Sequence, residues 1–194
     1  MKHLISIAAL LLATFGATTV AQADYLDANV SSDSARLGYG LTLREAETSL
    51  VLEASYLYAD EYEEANTNVA ALGLMVSGDA GASSWQLKAG LGGRAYFADL
   101  DDISGGGLGL GGEFSFRFPT FNRVGVSGRL YYAPEVLAFN DLDSLLDAAI
   151  QLDYEVLRNA YVYVGARLTR SEIEDIDDDV NLEQGAHVGL RIVF

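Results

Sequence analysis

The chain has few residues that could perform nucleophilic or acid–base chemistry. It has two histidines, His3 and His187, and no cysteine, so thiolate nucleophiles and thiolate metal ligands are excluded. A nucleophilic hydrolase needs a serine beside a histidine base. His187 has Gly185 and Gly189 as its neighbours two positions away, so neither a His-x-Ser nor an Asp-x-His arrangement is present. We therefore expect His187 to be structural, and a lipid-modifying enzyme that uses it is the alternative.

A run of oxygen-bearing side chains near the C-terminus is the second candidate for chemistry. Asp175, Asp177, Asp179, Asn181 and Glu183 stand at alternate positions and would share one face of an extended segment. Hard cations such as Ca²⁺ and Mg²⁺ are bound by several oxygens of this kind, although an EF-hand loop would need glycine at its sixth position, where this run has valine. We expect a solvated acidic loop and no cofactor, with a weakly bound Ca²⁺ or Mg²⁺ at these five residues as the alternative.

Nucleotide and nucleic-acid chemistry are not indicated. The glycine-rich stretch 105–112 leads into a predicted strand, whereas a dinucleotide fingerprint must open a helix. The net charge is −16, from 28 acidic and 12 basic residues, and a polyanion such as DNA attracts the opposite charge. We therefore expect no nucleic-acid partner.

The elements that position these residues are predicted to be strands. Apolar and polar residues alternate with period two from Asp24 to Phe194, whereas a helix would repeat every three to four residues. Leu87 and Leu91, for example, share a face opposite that of Lys88. The pattern predicts ten strands, at residues 24–31, 35–43, 49–58, 69–77, 85–97, 107–118, 124–132, 145–156, 160–169 and 185–194.

The lengths and connections of these strands predict a closed barrel in a membrane. A tilted strand crosses the hydrocarbon layer with 9–11 residues, and only closed barrels leave no unpaired backbone groups in lipid. Short connections alternate with long ones, as in outer-membrane barrels. We predict a transmembrane antiparallel up-and-down β-barrel of ten strands, or of eight if Ser32 to Ser34 does not form a hairpin. The short connections are 44–48, 78–84, 119–123 and 157–159, and the long ones are 59–68, 98–105, 134–144 and 172–184.

The competing fold is a water-soluble barrel with its apolar face inward, because alternation alone does not say which face is inside. Aromatic residues near the ends of the apolar stripe favour the membrane, since such residues form interfacial girdles in outer-membrane barrels. The terminal Phe194 and the scarcity of lysine on the polar face favour it as well. The girdle candidates are Tyr56, Tyr58, Trp85, Phe97, Phe116, Phe118, Tyr132 and Tyr154.

Residues 1–23 have the features of a secretory signal peptide. Lys2 and His3 precede an apolar run from Leu4 to Val20, which ends in the small-residue pattern Ala21-Gln22-Ala23. The alternative is an uncleaved membrane anchor. We expect cleavage after Ala23, a barrel domain over residues 24–194, and export to the bacterial outer membrane.

Charge is predicted to be strongly polarised along the barrel. Seventeen of the 28 acidic residues fall in the four long connections, which contain no lysine or arginine. The rest of residues 24–194 is balanced, so the whole net charge would lie at one end.

The predicted lumen has charges of both signs. Asp27 and Arg36 lie on the polar face, where charges need partners once they leave bulk water. We predict a lumen network of paired side chains that fills the barrel. Its further members are Glu53, Lys88, Arg94, Glu113, Arg117, Arg129, Asp147, Asp153, Glu155, Arg167, His187 and Arg191.

The chain resembles the YfaZ family of small bacterial outer-membrane proteins. The resemblance rests on Asp27-Ala28-Asn29-Val30-Ser31, on Ser34-Ala35-Arg36-Leu37-Gly38-Tyr39 and on Val188-Gly189-Leu190-Arg191-Ile192-Val193-Phe194. It implies a fold and a location, but no activity and no catalytic residues. The last strand also resembles the C-terminal signal of outer-membrane barrels, which implies recognition by the assembly machinery through the strand that ends at Phe194.

We expect a non-enzymatic outer-membrane β-barrel with acidic extracellular loops and a structural or surface-interaction role in the envelope. Its expected partners are outer-membrane lipid and lipopolysaccharide, with divalent cations bridging loop carboxylates to lipid phosphates. Adhesion to a cationic partner is one form of the surface role. A narrow channel is the alternative function, biased toward cations by the acidic loops.

Overall fold

The computed structural model describes residues 24–44, 48–62, 65–81, 86–100, 103–140, 142–173 and 180–194. The predicted signal peptide and Trp85 lie outside these ranges. The described residues form one turn of 3-10 helix, Glu135–Leu137, and eleven strands. Among them no helix is long and apolar enough to cross a membrane. The strands are β1 (Tyr25–Val30), β2 (Ser34–Arg44), β3 (Thr48–Tyr62), β4 (Ala65–Asp79), β5 (Gln86–Leu100), β6 (Ile103–Arg117), β7 (Val124–Ala133), β8 (Ala138–Asn140), β9 (Leu142–Leu157), β10 (Ala160–Ile173) and β11 (Val180–Val193).

All of these strands except the short β8 form one closed antiparallel barrel of ten strands. β1 pairs with β11 and closes the circle, with Tyr25 opposite Val193. The first hairpin is genuine, because the Ser31 N–H donates to the Ser34 carbonyl over 2.8 Å. The predicted ten-stranded barrel is therefore confirmed, and the eight-stranded alternative is wrong. β8 lies beside β6, beyond the last residue of β7 that pairs with it.

Apolar side chains face outward and polar side chains face the lumen. Leu91 and Leu110 keep 77% and 65% of their surface exposed, whereas Arg94 and Asp147 keep 5% and 1%. Such an outer surface is stable in hydrocarbon, where no water has to be ordered around it. The alternation therefore has the orientation predicted for a membrane barrel, and the soluble barrel with an apolar interior is wrong.

Aromatic side chains lie near both rims of this apolar surface. We call the rim with both chain ends the terminal end; there Asp24 and Phe194 exchange backbone hydrogen bonds of 3.0 and 2.9 Å. We call the opposite rim the loop end; there Phe97 packs edge-on against Phe139, with ring centroids 6.3 Å apart. At the terminal end Phe116 packs in the same way on Phe118, at 5.1 Å. These pairs match the girdles expected of an outer-membrane barrel.

The strands continue well into the segments predicted as long loops, so those loop boundaries are wrong. β3 and β4 leave only residues 63–64 between them, and β5 and β6 leave only residues 101–102. Inward-facing side chains continue the period-two pattern in the extensions of β3 and β4, as Ala59 and Thr67 show by their burial. In β11 a bulge interrupts the pattern, so the adjacent Leu182 and Glu183 are both buried. The many acidic residues give these segments the composition of loops. Their backbone nevertheless pairs as strand, because backbone pairing does not require apolar side chains.

Candidate functional site

The lumen is the part of the molecule where polar and charged groups converge, and its loop end is closed by apolar side chains. Alternate residues of neighbouring strands point inward there and pack on one another, because the inner face of every strand points toward the barrel axis. Leu145, Leu182 and Ala133 have no exposed surface. We call this set the apolar cluster; it comprises Leu57, Val69, Ala71, Tyr96, Ala98, Tyr131, Ala133, Leu142, Leu145 and Leu182.

A cluster of ion pairs crosses the middle of the lumen. Arg94 of β5 contacts Glu53 of β3, Glu113 of β6 at 3.5 Å, and Asp147 of β9 at 3.4 Å. Asp147 also contacts Arg129 of β7 at 3.2 Å and Arg36 of β2 at 3.9 Å. We call these six residues the central ion cluster. It links six strands, and its three positive and three negative charges balance.

Tyrosine hydroxyls complete the bonding of this cluster. The Tyr96 hydroxyl donates to Asp147 over 3.2 Å, and that of Tyr131 donates to Glu113 over 3.4 Å. The Tyr25 hydroxyl donates to Glu53. Buried charges are stable when their remaining hydrogen-bonding capacity is satisfied in this way. Tyr96 and Tyr131 belong also to the apolar cluster, so the two layers are in contact.

A second polar network runs along the seam where β1 meets β11. Arg191 donates to Asp27 over 2.9 Å, and Tyr163 donates to the same carboxylate over 2.6 Å. Asn29 connects this pair to Arg167 through bonds of 2.9 and 2.8 Å. Arg167 then pairs with Glu183, which also accepts a hydrogen bond from Ser34. We call the set Ser34, Glu183, Arg167, Asn29, Tyr163, Asp27 and Arg191 the seam network.

The seam network depends on glycine opposite Tyr163. Gly189 of β11 pairs in register with both Tyr163 of β10 and Asn29 of β1. A Cβ at Gly189 would lie 2.3 Å from Cζ of Tyr163, so only glycine leaves room for the ring. The tyrosine can therefore cross the inner face of β11 and reach Asp27.

A third ion-pair group lies near the terminal end. Arg117 of β6 contacts Asp153 at 3.0 Å and Glu155 at 3.9 Å, both on β9. Its guanidinium also lies over the ring of Tyr161 at 5.0 Å and donates to the carbonyl of Asn122 over 3.4 Å. The two neighbouring acids share one arginine, which anchors the turn between β6 and β7.

The predicted lumen residues all lie on the inner face, but two of them have a different environment from the rest. Lys88 is exposed near the terminal end and has no ion pair among the described residues. His187 is buried, with its ring edge-on to Tyr163 at 5.8 Å and no hydrogen bond to Nδ1. The described residues contain no hydrogen bond between His187 and a serine or an acid, which a catalytic base would require.

The predicted cation site is only partly within the described residues. Asp175, Asp177 and Asp179 lie outside them, and Asn181 and Glu183 belong to β11. Glu183 is buried and bonded to Arg167 and Ser34, so its carboxylate serves the seam network. Within the described residues no group of three acidic or histidine side chains could hold a metal ion.

Sequence reasoning did not identify Tyr25, Asn29 and Ser34 as network members, and it placed Glu183 in a loop. Period two could have found Glu183, since Gly185 and His187 follow it on the same face. The uncharged members give no such signal, because tyrosine and serine also occur outside lumens.

The fold and the filled lumen define an outer-membrane β-barrel protein. The YfaZ precursor family model matches residues 1–194, so the chain belongs to that family. No curated protein matches it.

Solved structures with similar folds include three from bacteria. Neisserial surface protein A is 15% identical (TM-score 0.37, covering 89% of this chain and 95% of that one). An active-site mutant of outer membrane phospholipase A from Escherichia coli is 12% identical (0.42, 97% and 96%). The translocator domain of the autotransporter NalP from Neisseria meningitidis is 14% identical (0.36, 100% and 96%). At these values the likeness supports no statement about function.

Proposed function

We propose that this protein is a non-enzymatic outer-membrane barrel with a closed lumen, which acts in the envelope as a structural or surface-interaction protein. The observation that supports the proposal is the filling of the lumen. The apolar cluster occupies its loop end and the central ion cluster its middle. A barrel without a path through it must act through its rims or its outer surface.

The remaining space argues against the narrow cation-biased channel. Beneath the apolar cluster, a void of about 10 Å³ lies among Arg36, Tyr96 and Asp147. This void has room for about one water molecule, so a hydrated ion does not fit in it. A larger cavity of about 170 Å³ lies on the other side of the central ion cluster, toward the terminal end.

The environment of His187 argues against a lipid-modifying enzyme. Its ring is buried inside the barrel, on the face opposite the lipid, and it has Arg167 and Tyr163 as near neighbours in the seam network. A lipid hydrolase needs its nucleophile and base where an acyl chain can reach them. We therefore assign His187 a packing role.

We infer the orientation of the protein in the outer membrane from the two rims of the barrel. Short turns and chain ends are periplasmic in outer-membrane barrels, so the loop end with its acidic residues faces outward. That surface would meet lipopolysaccharide, with divalent cations as bridges between carboxylates and lipid phosphates. The outward-facing Val188, Leu190, Ile192 and Phe194 would be read by the assembly machinery after removal of residues 1–23.

Three measurements test the proposal, and the first two are made on one sample. The protein from isolated outer membranes should run as a heat-modifiable band, faster when unheated, because a folded barrel is compact in detergent. The same folded material should give no conductance steps above bare lipid in planar bilayers. His187→Ala should leave the lipid species of the membrane unchanged. Conductance steps, or altered lipids, would overturn the closed-barrel or the non-enzymatic part respectively.

A further inference from the structure

A polar cavity of about 170 Å³ occupies the lumen between the central ion cluster and the terminal end. We propose that it binds small oxyanions, such as phosphate or a short carboxylate, that enter from the terminal end. Its mouth is marked by Lys88 and Ser115, which face the lumen and are exposed. These residues lie opposite one another on β5 and β6, two positions from the strand ends.

The side chains that line the cavity carry more positive than negative charge. Lys88 is the one basic lumen residue without an ion pair in the described part of the chain. Asp79 stands opposite it in register, but no ion pair joins the two side chains. Lys88, Arg129 and Arg191 line the cavity together with a single acid, Glu113, and this lining favours an anion over a cation or a neutral molecule.

A second cation lines the floor of the cavity. Arg129 borders the cavity and donates to Asp147 through Nε. The charge of its guanidinium adds to that of Lys88 and favours an anion in this space. Glu113 also lines the cavity, but its carboxylate is already engaged by Arg94 and Tyr131.

Neutral donors surround the space between these two cations. Ser77, Ser115 and Ser127 line the cavity with their hydroxyl groups. Ser127 accepts a hydrogen bond from Gln151 over 2.8 Å, which leaves its own proton free to donate. Arg191 adds a third cation at the wall, although Asp27 balances its charge. A volume of about 170 Å³ leaves room for a small oxyanion with waters around it.

Calorimetric titration of the folded protein in a neutral detergent tests this proposal. Sodium phosphate and sodium acetate are the probes, glycerol is the uncharged control, and sodium chloride is held constant. Lys88→Gln should weaken phosphate binding at least about threefold, as expected when one partly exposed charge-assisted hydrogen bond is lost. Ser115→Phe should fill the mouth and abolish binding. Arg158→Gln, an equal charge change at an exposed turn of the same rim, should have no effect.

The outcomes separate clearly. Binding of phosphate or acetate that Lys88→Gln weakens and Arg158→Gln does not supports the site, and the preferred probe identifies the anion class. Equal heats for the wild type and Lys88→Gln, binding of glycerol as strong as that of phosphate, or no binding at millimolar phosphate would overturn it. The mobility of the unheated protein on a gel shows whether each variant is folded. If Ser115→Phe does not fold, the comparison of Lys88→Gln with the wild type decides the test. None of these results depends on whether the barrel conducts ions.

Discussion

Arg94 of β5 and Asp147 of β9 meet across the lumen, with Nη1 3.4 Å from Oδ2. Strands β6 and β7 lie between these two strands in the sheet, so the pair ties non-adjacent parts of the wall together across the lumen. Asp147 is shared by Arg36 and Arg129, each of which has no other acidic partner within 4.0 Å among the described residues. The carboxylate is thus the centre of the closed lumen.

Removing the charge of Asp147 should destabilise the barrel strongly. Asp147→Asn keeps the side-chain volume but leaves the buried Arg36 and the partly buried Arg129 without an ion pair, and breaking a buried pair in this way costs about 3–5 kcal/mol. Urea unfolding in lipid vesicles measures the change in the free energy of unfolding. Asp33→Asn, in the exposed first hairpin, is the matched control and should change it by less than about 0.5 kcal/mol. Equal stabilities for the two variants would refute the central role of Asp147.

The Tyr163 hydroxyl should contribute measurably to the seam. Tyr163→Phe removes a donor to Asp27 and an acceptor for Asn29, and we expect a loss of about 1–3 kcal/mol in the same unfolding assay. Tyr161→Phe, two residues away on the same face, is the control because the described residues show no hydrogen bond to its hydroxyl. If Tyr161→Phe proves as costly as Tyr163→Phe, the seam network is not what stabilises this wall.

Steric room for the same tyrosine makes Gly189 sensitive to substitution. Gly189→Ala would place Cβ 2.3 Å from Cζ of Tyr163, and the ring must move at a cost of about 1–3 kcal/mol. Gly185→Ala on the same strand has nothing within 4 Å of the added Cβ and should be close to neutral. Thermal unfolding followed by gel mobility compares the two alanine variants. A neutral Gly189→Ala would mean that the ring is free to leave its place in the seam.

Much of this arrangement could be predicted from the sequence, and the exceptions have physical causes. Period two identifies the inner face, which is why Arg94, Asp147 and Arg167 were expected in the lumen. It cannot identify their partners, since these depend on how far neighbouring strands are staggered around the barrel. Composition is misleading at the strand ends, where acidic residues in extended backbone resemble a loop. Glu183 combines both difficulties: it belongs to β11 and pairs with Arg167.

Glu183 should stabilise the barrel without any metal ion. Glu183→Gln leaves Arg167 buried beside a neutral amide and should lower the free energy of unfolding by about 3–5 kcal/mol, equally with calcium present and with EDTA. Asp177→Asn is the comparison, because its effect would depend on calcium if the predicted cation site forms in residues 175–183. A Glu183→Gln penalty that disappears in EDTA would instead assign this carboxylate to a cation.

Single-channel recording tests the closed lumen most directly, when the wild type is compared with a variant that lacks the bulk of the apolar cluster. Tyr96, Tyr131 and Leu145 are among its largest fully buried side chains, and replacing all three by alanine would open the loop end. We predict that the folded wild type gives no steps above bare lipid and that the triple variant, if its unheated mobility shows a folded barrel, conducts. Steps in the wild type, of the same size as those in the variant, would contradict the account of a filled and closed barrel.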